Sequence, residues 1–86
     1  MDQGFMRKLI RISEHARKRM MKYGLDEEVV IEALREPDRV LVGHRGRKIA
    51  HRFKNKYVLR VVYEENDTIT VITVYPARRE RYAEGV

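Results

Sequence analysis

The groups in this chain with a capacity for chemistry are histidines, cationic side chains and tyrosines: His15, His51, Arg60, Tyr75, Arg78 and Tyr82 stand out. There is no cysteine, and the only serine, Ser13, sits where a helix cap is expected, so no serine or thiol nucleophile pattern exists. His15, His44 and His51 lie far apart, and no carboxylate stands at ligand spacing from them. That leaves no metal motif. Glycine-rich phosphate loops are also missing, and no cofactor is expected. What remains is proton transfer by His and charge stabilisation by Arg, Lys and Tyr. Cleavage of RNA by its own 2′-hydroxyl needs no more than this: the protein aligns the backbone, moves two protons and stabilises a dianionic transition state. Each candidate also has a plainer reading. His51 alternates with Ile49 and Phe53, a pattern that equally fits a hydrogen-bonded core histidine, and His15 beside Ser13 fits a surface residue of a helix start.

The placement of charge points to a partner. Residues 7 to 22 hold seven Lys or Arg against Glu14, residues 26 to 38 hold six acids against Arg35, and residues 39 to 63 hold eight basic residues and no acid, within a net charge of +6. A folded domain segregated in this way presents a positive face and an acidic flank, which favours a polyanion such as RNA. Arg19, Lys48, Arg52, Lys54, Lys56, Arg79 and Arg81 are the candidate RNA contacts. With no cysteine, no apolar run of membrane-spanning length and a start too charged for a signal peptide, the expected location is the cytoplasm, away from any membrane.

Eighty-six residues form one domain, 1–86, with a single small core. The start, with Phe5, Met6, Leu9, Ile10 and Ile12, fits an edge strand or the first turns of a helix. Ser13 caps a helix from Glu14 to Tyr23 that Gly24 stops. Asp26 caps a second helix whose stripe is Val29, Val30, Ala33 and Leu34, and Pro37 ends it after Glu36. From Arg39 the period becomes two: Val40–Val42, a turn at Arg45-Gly46, then Arg47–Lys54. Two apolar runs, 57–63 and 69–75, flank Glu64–Asp67 as a hairpin, with Pro76 ending the last strand and releasing a basic tail. The expected fold is α+β, two N-terminal helices on one face of a four-stranded antiparallel meander. If Ile49 and Phe53 face the helices, Lys48, Arg52, Lys54 and Arg60 share the open, cationic face.

The order of a helix with Ser13-Glu14-His15-Ala16-Arg17-Lys18-Arg19, a second helix ending in Glu-Pro, a basic meander and a final TVITVYPARRERY resembles the RelE/BrnT-type toxin superfamily of prokaryotes, from about residue 9 to 82. The resemblance implies a compact microbial ribonuclease fold, cleavage of mRNA that is often ribosome-associated, and neutralisation by a cognate antitoxin protein. Its basic sheet residues would correspond to Arg52, Lys54 and Arg60, and its C-terminal set to Arg78, Arg79 or Arg81 with Tyr82. His15 matches the BrnT-like branch better than the RelE branch, and relatives use different residues as general base.

The expected function is therefore a toxin-like, metal-independent endoribonuclease. Arg52, Arg60 and Arg78 would clamp phosphate, His15 or His51 would move a proton, and Tyr75 or Tyr82 would orient the nucleotide. Two alternatives stand beside it: a non-catalytic nucleic-acid-binding module, and a toxin that inhibits gyrase by binding protein.

Overall fold

Ser13 and Gly24 bound the first helix, as their residue types dictate. In the computed structural model, which describes residues 8–81, α1 spans Glu14–Tyr23 and Ser13 Oγ accepts from the Ala16 N–H at 3.0 Å. Gly24 ends the helix in the left-handed region at φ 65°, with its N–H on the carbonyls of Met20 and Met21. α2 spans Glu27–Arg35 with Asp26 at its N-cap position, although the Asp26 side chain makes no capping bond. Glu36 ends this helix. Ala16 and Met20 of α1 and Val30, Ala33 and Leu34 of α2 are buried, while Val29, expected in the same stripe, is 40% exposed. Among the described residues no helix is long and apolar enough to cross a membrane.

Among the described residues five strands form the sheet: β1 Ile10–Ile12, β2 Arg39–Val42, β3 Lys48–Lys54, β4 Tyr57–Glu65 and β5 Ile69–Arg78, in the order β1-β5-β4-β3-β2. The α+β class and the antiparallel meander β2 to β5 are as expected. The four-stranded, all-antiparallel expectation is not, because β1 adds a parallel edge strand that pairs Ile10 with Ile69 and Ile12 with Val71. Backbone satisfaction explains the choice of strand over helix: Ile69 N–H donates to Leu9 O at 2.9 Å and Ser13 N–H to Val71 O at 3.1 Å. The part of that expectation that rested on Phe5 and Met6 lies outside the described residues.

Pro76 does not end the last strand, since β5 continues to Arg78 with Pro76 opposite Leu59. β1 pairs with β5 only at residues 69–71, so at position 76 β5 has edge character on that side and tolerates a residue without an N–H. A bulge between Val62 and Tyr63 shifts the register, so that Val61 faces Val74 but Tyr63 faces Val71. The shift places Val71 and Val74, three residues apart, on the same side. Ser13 stitches this place together by donating Oγ–H to Ile72 O at 3.0 Å.

The largest correction concerns β3. Ala50, not Ile49, faces the helices: Ala50 pairs with Val61, and both join Leu59, Tyr63, Ile69, Val71 and Val74 in the core under α1 and α2. Lys48 and Arg52 are therefore on the helix side, and Ile49, His51 and Phe53 on the far side with Arg60. Ala50 is fully buried, on the strand that α2 packs against. The larger apolar residues of β3 pack on the other surface.

Candidate functional site

One rung of the far face carries polar side chains across four strands. Arg39 on β2 pairs with His51 on β3, His51 with Arg60 on β4, and Arg60 with Tyr75 on β5. Residues opposite one another in a sheet share a face, so all four project from the surface that the described helices leave uncovered. The register at the β2 end is pinned by Asp38, whose N–H donates to His51 O at 2.7 Å and whose Oδ2 accepts from Phe53 N–H at 2.7 Å. At the β5 end the bulge sets the phase that puts Tyr75 opposite Arg60.

Arg60 is the centre of the rung. Its Nε donates to His51 Nε2 at 2.9 Å and its Nη1 donates to Tyr75 Oη at 2.5 Å, with the guanidinium carbon 5.4 Å from the Tyr75 ring centroid. An Nε2 that accepts is a neutral imidazole nitrogen, so His51 carries its proton on Nδ1. His51 is fully buried, and that burial, followed by the positive charges of Arg60 and Arg39, lowers its pKa to about 4. At neutral pH it is a fixed acceptor that aims Arg60. Arg60 brings a guanidinium with its donors in a fixed, planar arrangement. Leu41, Ile49, Phe53, Val58 and Val62 share this face by register, so the charge stands in largely apolar surroundings.

The remaining candidates fall elsewhere. His15 is exposed on the first turn of α1, the helix that packs on the opposite face of the sheet, so it is on the other side from the rung. Arg19 is on the same helix and half-buried. Lys48 donates to Glu65 Oε1 at 3.1 Å, a contact that raises the Lys48 pKa and, with Lys8, lowers that of Glu65. Arg52 is tied to α2, donating to Glu36 O at 2.5 Å and to Glu32 Oε2 at 3.2 Å. Neither shares a face with Arg60, which corrects the expected continuous cationic surface. Lys54 and Arg78 are exposed at the end of the sheet, and Lys56 is exposed in the β3–β4 turn. Arg79 stacks on Phe53 at 4.4 Å and donates Nη1–H to Asn55 O at 3.3 Å, which fastens the residues after β5 to that turn. Arg81 is exposed beside it, and Tyr82 lies outside the described residues. Among the described residues no three His, Asp or Glu gather as a metal would require.

Arg39 is the member of the rung that sequence reasoning missed. Nothing in Asp38-Arg39-Val40 distinguishes it from a strand-edge cation, and only the β2–β3 register brings it to His51.

Compared with known families, residues 12–76 match the family described as Domain of unknown function (DUF4258). The chain belongs to the DUF4258 family. The matched segment holds all four residues of the rung and stops before Arg78. No curated protein and no solved structure matches the chain.

Proposed function

We propose that this DUF4258 domain is a toxin-like, metal-independent endoribonuclease of a toxin–antitoxin pair, cleaving mRNA through attack of the 2′-hydroxyl on the adjacent phosphate: the O2′–P bond forms as the P–O5′ bond breaks, the hydroxyl proton passes to water and the departing 5′-oxygen takes one up. The Arg39–His51–Arg60–Tyr75 rung carries this reading. Arg60 supplies a permanent charge to the crowded phosphorane, and His51 and Tyr75 hold it in place before substrate arrives. Two unit charges 4 Å apart interact by about 1 kcal/mol in water and about 4 kcal/mol near a protein surface, so a clamp set among apolar residues acts more strongly on the transition state. Tyr75 Oη accepts from Arg60 and keeps its own proton to orient or protonate a phosphate oxygen. The relevant partner protein is an antitoxin whose acidic segment would cover this face.

RNA incubated with the purified chain in EDTA, with and without translating ribosomes, yields 2′,3′-cyclic phosphate ends under this proposal, and Arg60→Ala forms them about 100- to 1000-fold more slowly. Intact RNA in both conditions overturns it.

A second reading, a non-catalytic RNA-binding module, draws on one observation: the Nε2 lone pair of His51 is already engaged by Arg60, so His51 is not poised as a base. That reading gives retention of RNA that weakens steeply with salt and no product.

A further inference from the structure

A second rung, at the end of the sheet and on its helix side, has an unusual composition. Lys54, Tyr57 and Arg78 pair in line across β3, β4 and β5. All three are exposed, with Tyr57 55% accessible, although the next residues of its strand, Val58 and Leu59, are buried. An open depression of about 580 Å³ adjoins this rung, lined by Lys56, Tyr57, Arg78, Arg79 and Glu80. That volume falls in the range of small-molecule sites. An aromatic ring held in water between cations is poor material for a core and good material for a base: the ring face accepts any nucleobase by stacking, while flanking cations take the phosphates on either side. Three contacts set its walls. Arg78 Nη1 lies 3.5 Å from Glu80 Oε2, and Arg79 is held by Phe53 and by its own N–H on Lys56 O at 2.8 Å.

We infer that the Lys54–Tyr57–Arg78 rung and its depression form a nucleotide subsite, in which Tyr57 stacks an unpaired base of RNA and Lys54, Lys56 and Arg78 neutralise the adjoining phosphates. The inference rests on the RNA reading above and deepens it by specifying a single-stranded substrate. A duplex offers no free base face to Tyr57, so it does not fill the subsite. Arg79 links the two regions, because it stacks on Phe53 of the Arg60 face and lines the depression at the sheet end. Bound RNA passes around that end from one rung to the other.

The test uses a short single-stranded oligoribonucleotide with 2′-O-methyl groups, which cannot be cleaved, and one 2-aminopurine base. Binding to the intact chain quenches the 2-aminopurine. Tyr57→Leu weakens binding about tenfold and abolishes the quench, Tyr57→Phe keeps both, and a fully paired oligonucleotide shows no quench. Lys54→Ala with Arg78→Ala lowers the salt slope of binding by about 1.4, as expected for two lost phosphate contacts on a single strand. Equal binding and quench in Tyr57→Leu and the unaltered chain overturn the subsite, as does absence of any binding by the unaltered chain. Because the oligonucleotide cannot react, the two proposals fail separately. Tyr57-dependent quenching without cleavage of ordinary RNA upholds the subsite and removes the nuclease. Cleavage of ordinary RNA with no effect of Tyr57→Leu on binding does the reverse.

Discussion

On the face under α1 and α2, Arg52 and Lys48 stand at the margin and meet acids, Glu32 at 3.2 Å and Glu65 at 3.1 Å, around an aliphatic centre. On the far face the arrangement is reversed: polar groups occupy the middle of the sheet and two guanidiniums flank a buried imidazole. Marginal pairs in water contribute about 0 to 1 kcal/mol and are easily exchanged. A cation in the middle of a sheet forgoes apolar burial at the position where that burial is strongest. The first arrangement is what a soluble fold needs. The second goes beyond what the fold requires, and the proposed role toward RNA would account for it.

The contrast can be broken in four places, beginning with the largest expected effect. Arg60→Ala lowers RNA cleavage by about 100- to 1000-fold, as for loss of one preorganised donor to a transition state, with a far-ultraviolet circular dichroism spectrum unchanged. A cleavage rate within threefold of the original in that variant separates the rung from the chemistry. Leu34→Ala, on the core face, has the opposite profile: it costs about 3 kcal/mol in urea unfolding and leaves cleavage by the folded fraction intact. Leu34 is 4% exposed in the centre of the helix–sheet contact, so a loss below about 1 kcal/mol would contradict the packing described here.

The third test is of pH. An unfolded histidine titrates near 6.5 and His51 in the folded chain near 4, so between these values the unfolded state binds the extra proton. Stability is therefore complete above about pH 6.5 and declines as pH falls toward 4, by up to about 3 kcal/mol at 1.36 kcal/mol per unit. Glu65, whose pKa is lowered by its lysines, adds its own loss only below its ordinary 4.5, so the interval above that belongs to His51. His51→Gln flattens the interval in a series of urea titrations, and an unchanged slope would show that His51 is not held neutral. The smallest effect is at the margin: Arg52→Ala changes stability by at most about 1 kcal/mol and RNA affinity less than Arg60→Ala does, in side-by-side filter binding.

What the sequence made legible follows the reach of each signal. The Ser13 cap, the Gly24 stop and the Glu36-Pro37 boundary are settled by neighbours within a few residues, and they read correctly. The residue types of His51, Arg60 and Tyr75 were also visible. Their junction was not, because a strand carries its faces with a period of two and β3 offers a usable apolar set on each: Ile49 and Phe53 on one, buried Ala50 on the other. Side-chain size favoured the wrong set. The choice goes with α2, which packs on β3 and β4 over the buried Ala50, and it moves Arg52 and Lys54 away from Arg60. Arg39, Tyr57 and the parallel pairing of β1 escaped for a related reason, since each acquires its meaning from a pairing partner distant in the chain.

β1 has a consequence for how the molecule comes into being. Its three residues close on β5 across a separation from Ile10 to Ile69, so the sheet cannot take its final order during synthesis until the last strand has emerged. Tyr75, which completes the rung, belongs to that same strand. α1, α2 and the β2–β3 hairpin join residues close in the chain, whereas the polar rung forms only once Tyr75 has been made.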